Sequence, residues 1–165
     1  MWRHPAEIPL DRLQSECEVK RLRRGGPGGQ HRNKVETAIV LHHRPTGISA
    51  EANERRSQGE NLQIALFRLR IAFALQVRKD WMEPSQLWTS RVRSQKIQVR
   101  SSHDDFPALL AEVLDALESG EWNVADVANS MGTTTSQLVK FLKLEPVALA
   151  QLNEHRQAKG LKALK

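Results

Sequence analysis

Cysteine is nearly missing from this chain: Cys17 stands alone among 165 residues. That excludes an intramolecular disulfide and a cysteine-based zinc site, and the lone thiol is expected to be buried. No run approaches the ~18 consecutive apolar residues of a membrane-spanning helix. The opening Met1-Trp2-Arg3-His4-Pro5 lacks the apolar stretch of a signal peptide, so the chain is read as cytoplasmic. The histidines (4, 31, 42, 43, 103 and 155) show no H-x-x-x-H or H-E-x-x-H spacing. His42 and His43, adjacent on a strand, would point to opposite faces, so no metal site is expected. Also absent are a G-x-x-x-x-G-K-[ST] phosphate loop, a G-x-G-x-x-G dinucleotide fingerprint and a G-x-S-x-G nucleophile elbow. No set of side chains reads as nucleophile, base and orienting acid, and no organic cofactor is expected.

Apolar residues make up 39% of the chain, enough for a core, and the charged share of 27% is ordinary, which argues against wholesale disorder. The net charge of +6 is unevenly spread. Residues 1–100 hold 19 Lys and Arg against 10 Asp and Glu, a balance of +9; residues 101–165 hold 6 against 9, a balance of −3. The first part therefore suits a phosphate-bearing partner and the last part does not.

The patterning predicts an α+β fold: a small β-sheet with a helix packed across it, followed by a small all-α module. Asp11 to Cys17 reads as one or two helical turns and Glu18 to Arg23 as a short strand. Val35 to His43 and Ile48 to Ala52 read as a hairpin around the Arg44-Pro45-Thr46-Gly47 turn. Ser57-Gln58-Gly59-Glu60 fits a capping box. After it, Leu62, Leu66, Leu69, Phe73 and Val77 share one helical face, and this helix is expected to end near Met82, before Pro84. Residues 83–104 read as a polar, basic linker. Four helices are expected beyond it: one with the stripe from Phe106 to Leu117, stopped by Gly120; one over Val124 to Met131, stopped by Gly132; one capped by Thr135 or Ser136; and one opening at Pro146. The domain reading is residues 1–82, a linker at 83–104, and a helical domain at 105–165.

Gly25-Gly26-Pro27-Gly28-Gly29-Gln30 is the most distinctive stretch. Glycine loses more backbone freedom on folding than any other residue, so such a run serves positions needing φ > 0 or close approach to a ligand. Arg21, Arg23 and Arg24 precede it and His31, Arg32 and Lys34 follow it, which points to a polyanionic ligand. If the loop is catalytic, its chemistry comes from backbone groups and one amide side chain. Ester hydrolysis passes through a tetrahedral intermediate with charge on oxygen, and one backbone N–H aimed at that oxygen lowers the barrier by about 2.7–4 kcal/mol. Neighbours without side chains allow the amide into a crowded site.

Gly26-Pro27-Gly28-Gly29-Gln30-His31-Arg32-Asn33-Lys34, then Pro45-Thr46-Gly47-Ile48, then Arg56-Ser57-Gln58 and Asn61, resembles the GGQ domain of peptide chain release factors over about Arg24 to Leu75. The resemblance implies a loop that enters the peptidyl transferase centre of the large ribosomal subunit. It makes Gly28, Gly29 and Gln30 the catalytic residues. The Gln30 backbone N–H would stabilise the developing charge, and its side chain would admit water and exclude other nucleophiles. The positions expected to meet RNA are Arg21, Arg23, Arg24, His31, Arg32, Lys34 and Arg56, with Arg91, Arg93 and Lys96 from the basic linker. The implied substrate is peptidyl-tRNA on the ribosome, and the implied form is a monomer. Lacking an apolar anchor between Gly25 and Lys34, the loop is expected to be mobile off the ribosome.

Gly25 falls where the family often has Ser, and Gly59 where a larger polar residue is common. The 23 residues before Arg24 are too few for a stop-codon-reading domain, so the chain is similar to short, codon-independent factors that rescue stalled ribosomes. Its C-terminal tail is only mildly basic. Two other readings stay open: a non-catalytic ribosome- or RNA-binding protein, and a helix–turn–helix DNA-binding regulator, since Val124 to Leu144 has that spacing with Gly132 in the turn. Trp81 and Trp88 are expected to pack or to anchor the linker rather than stack on bases.

Overall fold

A computed structural model describes residues 3–23 and 36–165. The chain divides into two compact units, residues 1–73 and 74–165. The fold is α+β, as expected.

In the first unit a 3-10 turn, Pro5–Glu7, is the first element; His4 Nδ1 accepts the Ala6 N–H at 3.0 Å. Helix α1 (Leu10–Glu16) follows and buries Leu13. Strands β1 (Cys17–Leu22), β2 (Ala38–His43) and β3 (Ser49–Ala52) form an antiparallel sheet in the order β1-β2-β3. The register pairs Cys17 with His43, Val19 with Leu41 and Arg21 with Ile39; β3 sets Ala50 against Leu41 and Ala52 against Ile39. Strand side chains alternate between faces, so these residues share one side of the sheet, and Ile39, Leu41, His43, Ala52 and Cys17 are buried on it. The β2–β3 turn needs its glycine: Gly47 has φ +72°, with open space where a Cβ would stand, so its cost to another residue is backbone strain alone.

Helix α2 runs Gln58–Gln76. Ser57 Oγ accepts the Glu60 N–H at 3.3 Å, one half of the expected capping box. Leu66, Leu69 and Phe73 are buried. Phe73 meets the His43 ring edge-on at 4.8 Å, which places the helix across the apolar face of the sheet.

Helix α2 stops at Gln76, short of the expected Met82. The Arg78 guanidinium supplies the physical reason: it donates to the carbonyls of Ala74, Leu75 and Val77 at 2.8–3.1 Å, and Gln151 Nε2 also donates to Leu75 O at 3.0 Å. Orphan carbonyls of a helix end are thereby satisfied by side chains. Burial lowers the Arg78 pKa, opposed by Asp115 and Glu118.

The expectation of a linker over 83–104 is corrected by the second unit. This stretch carries helix α3 (Gln86–Arg91) and a hairpin of β4 (Val92–Arg93) and β5 (Lys96–Ile97). Its anchors are tertiary. Ser85 caps α3 and donates its backbone N–H and its hydroxyl to the Glu112 carboxylate, both at 2.6 Å. Trp88 is fully buried, donates Nε1 to Met131 O at 2.8 Å, and packs edge-on against Phe141. The remaining helices are α4 (Phe106–Ser119), α5 (Val124–Ser130), α6 (Thr135–Leu142) and α7 (Pro146–Ala158). Asn123 and Thr134 cap α5 and α6. Gly120 ends α4 where a Cβ would lie 2.6 Å from Val127 Cγ2, so glycine here permits the close approach of α5.

Candidate functional site

Gly28, Gly29 and Gln30 lie outside the described residues, as do Arg24, His31, Arg32 and Lys34 and the expected loop mobility. The two roots from which that segment springs are described. Leu22 and Ala38 are register partners, so the chain leaves β1 and returns to β2 on the same rung of the ladder.

Gln58, the first residue of α2, fastens both roots. Arg21, on the helix-facing side of β1, donates Nε to Gln58 Oε1 at 3.1 Å. Gln58 Nε2 donates to the backbone carbonyl of Glu36. Arg23 Nε and Glu36 Oε1 approach to 3.8 Å, a loose pair between two exposed side chains that stabilises little. One turn further along α2, Asn61 is completely buried. Its Nδ2 donates to Thr37 O at 2.7 Å and to Arg55 O at 2.9 Å, and its Oδ1 accepts the Arg55 N–H at 2.9 Å. This side chain ties the loop before α2 to the chain that re-enters β2. It leaves Arg55 and Arg56 exposed beside it.

Of the positions expected to meet RNA, Arg21 and Arg23 therefore stand together at the roots of the segment, with Arg56 exposed on the Asn61-held loop. Arg93 and Lys96 are exposed register partners in the second unit. Arg91 is half-buried and ion-paired with Asp105, and it also contacts His103 Nε2 at 3.2 Å. Gln58 and Asn61 stand in the sequence only as letters of the family pattern. Their work as fasteners depends on three-dimensional neighbours.

A different cluster invites a catalytic reading and does not sustain it. Cys17 and His43 are register partners and Glu16 contacts His43 at 3.1 Å, so thiol, imidazole and carboxylate are neighbours. Yet the thiol is buried and desolvation raises its pKa, which leaves it an inert thiol. Both ring nitrogens of His43 are engaged, Nδ1 with Thr46 Oγ1 at 2.8 Å and Nε2 with Glu16. The His43 hydrogen bond, then that of Arg12, holds the Glu16 carboxyl below the usual range. The cluster closes the end of the β1–β2 ladder opposite the Leu22–Ala38 rung. Among the described residues no group of three His, Cys, Asp or Glu is placed to hold a metal, and no helix is long and apolar enough to cross a membrane.

A three-stranded antiparallel sheet crossed by one helix, whose first residue bonds to Arg21 on β1 and to Glu36 ahead of β2, defines a class of domain. Residues 7–105 match the RF-1 domain family, and the chain belongs to it. Among its relatives, peptide chain release factor 1 of Caldicellulosiruptor saccharolyticus is 38% identical over 64 residues, covering 39% of this chain and 18% of the relative. Peptide chain release factor 2 of Staphylococcus saprophyticus is 33% identical over 97 residues, 53% of this chain and 26% of the relative. A mouse protein, peptide chain release factor 1-like, mitochondrial, is 34% identical over 95 residues, 58% and 24%. The chain thus spans about a quarter or less of these curated relatives.

Proposed function

We propose that this chain hydrolyses the ester of peptidyl-tRNA on the ribosome without reading a codon, releasing peptides from stalled complexes. Gly28 and Gly29 give the backbone its freedom. The Gln30 N–H meets the ester oxygen as water attacks the carbonyl carbon and negative charge develops. The bond to the tRNA ribose oxygen then breaks, the peptide leaves as its carboxylate, and the tRNA hydroxyl takes up a proton. A donor of this kind contributes about 2.7–4 kcal/mol of barrier lowering. Arg24, His31, Arg32 and Lys34, with Arg21, Arg23 and Arg56 at the roots, meet ribosomal RNA phosphates, as do Arg93, Lys96 and Arg91 from the second unit. The protein acts as a monomer in the cytoplasm and needs no metal or organic cofactor.

One observation supports this reading: Gln58 and Asn61, both in the motif pattern shared with the family, bind the chain on either side of the Gly28-Gly29-Gln30 sequence, at Arg21, Glu36 and Thr37. A loop whose roots are fixed delivers its tip to a repeatable position, which near-attack geometry requires. Release of labelled peptide from stalled ribosomes tests it. Gly29→Ala should abolish release while ribosome binding persists; wild-type protein that binds ribosomes and frees nothing would end the hydrolase reading.

A further inference from the structure

The second unit contains a groove of about 530 Å³ between the segment after β5 and helix α6. Its apolar floor is lined by Phe141 and Leu144; Leu144 is an exposed large hydrophobic residue, whereas Phe141 is only 2% exposed. Arg100 and Lys140 stand on it as exposed cations, neither with an ion-pair partner among the described residues. No carboxylate lines it. The nearby carboxylate of Asp105 is engaged by Arg91. Gln98 and Gln137 add amides that both donate and accept. The second unit holds 12 Lys and Arg against 11 Asp and Glu, a balance of +1, so the basic character of the groove is a local concentration.

The combination matches one ligand chemistry. The apolar surface of Leu144 suits the face of a nucleobase, the amides suit its edge, and the two free cations suit the phosphates on either side of it. Unstacked bases of single-stranded RNA are recognised by contacts to their faces, edge hydrogen bonds and phosphate pairing. The volume falls within the range of small-ligand pockets and accommodates one nucleotide. A rod of duplex presents no free base face to such a floor, and an acidic peptide would satisfy the cations while leaving the floor uncovered. We propose that this groove holds an unstacked nucleotide of single-stranded RNA, with its flanking phosphates against Arg100 and Lys140. The proposal rests on the ribosomal reading for its biological partner, where that strand is ribosomal or messenger RNA, but its chemistry is tested without a ribosome.

The test uses the full chain and a fluorescein-labelled mixed-sequence RNA octamer carrying 4-thiouridine, followed by anisotropy and by mapping of photo-crosslinks. The double variant Arg100→Gln/Lys140→Gln alters exposed side chains only. It should weaken octamer binding on the order of tenfold and reduce the slope of log affinity against log salt by about 1.4, two single-strand phosphate contacts. Wild-type crosslinks should fall within residues 97–103 and 137–144. Unchanged affinity in the double variant, or crosslinks confined to residues 1–73, would overturn the proposal. So would binding at these two cations of duplex DNA or hexaglutamate in preference to the octamer. Peptide release by the same preparation is a separate readout, so loss of the groove and failure of the hydrolase reading are told apart.

Discussion

Gln58 Nε2 donates a hydrogen bond to the backbone carbonyl of Glu36, the residue at which the chain returns from the glycine-rich segment. The same amide accepts from Arg21 on the outgoing strand. One side chain at the start of a helix thereby spans the neck of the segment, and the helix that carries it is fixed to the sheet by Leu66, Leu69 and Phe73.

Gln58→Glu should separate positioning from folding. Glutamate keeps an acceptor for Arg21 but loses the donor to Glu36 and sets a negative charge against that carbonyl. Because these bonds are solvent-exposed, the unfolding free energy should fall by no more than the ~1 kcal/mol of one hydrogen bond. Peptide release should slow on the order of tenfold with ribosome affinity unchanged, and amide exchange at residues 36–38 should quicken. Normal release kinetics in this variant would show that the neck needs no such fastener.

Asn61→Ala should act mainly on stability. It strips one buried side chain of three hydrogen bonds and leaves the Thr37 carbonyl and both Arg55 backbone groups without these partners. The cost expected is about 2–4 kcal/mol, read as a lower denaturant midpoint with an unchanged slope. Asn61→Asp restores the acceptor for the Arg55 N–H alone, so it should recover only part of the loss.

Acid should weaken the first unit through Glu16. Its folded-state pKa is depressed by His43 and then by Arg12, so its contribution is present above the unfolded-state value and is lost as pH falls through the folded one. Urea unfolding followed from neutral to acidic pH should show stability falling once the ordinary glutamate range is passed. Glu16→Gln should be less stable than wild type at neutral pH and should flatten that part of the profile. A profile identical to that of wild type would remove Glu16 from the account.

Local signals made much of the architecture legible. Strands alternate, the Pro45-Thr46-Gly47 turn carries its left-handed glycine, and Ser57 accepts where a capping box requires it. The helices after Phe106 follow their apolar spacing and stop at or near Gly120 and Gly132. What escaped depends on distant partners. Residues 83–104 look like a connector because their polarity is visible and their anchors, Glu112 and Met131, lie 27 and 43 residues along the chain from Ser85 and Trp88. Helix α2 ends early because Arg78 folds back on its carbonyls, whereas Pro84 suggested a later stop. At the candidate site the tripeptide and its flanking cations stand out by residue type, and the tripeptide itself lies outside the described residues. The tasks of Gln58 and Asn61 appear only when strand ends and helix start are brought together, and the groove at Arg100 and Lys140 joins two stretches that no short motif links.

In the function proposed above, the Gln30 backbone amide drives codon-independent ester hydrolysis. Single-turnover release of labelled peptide from ribosomes stalled on messages lacking a stop codon tests it most directly. Wild-type protein should release the peptide, Gly29→Ala should lose release to background, at least about 10²–10³-fold slower, and Gln30→Ala, whose backbone donor survives, should show a milder defect. Release that requires a stop codon, or a Gly29→Ala protein as fast as wild type, would contradict it.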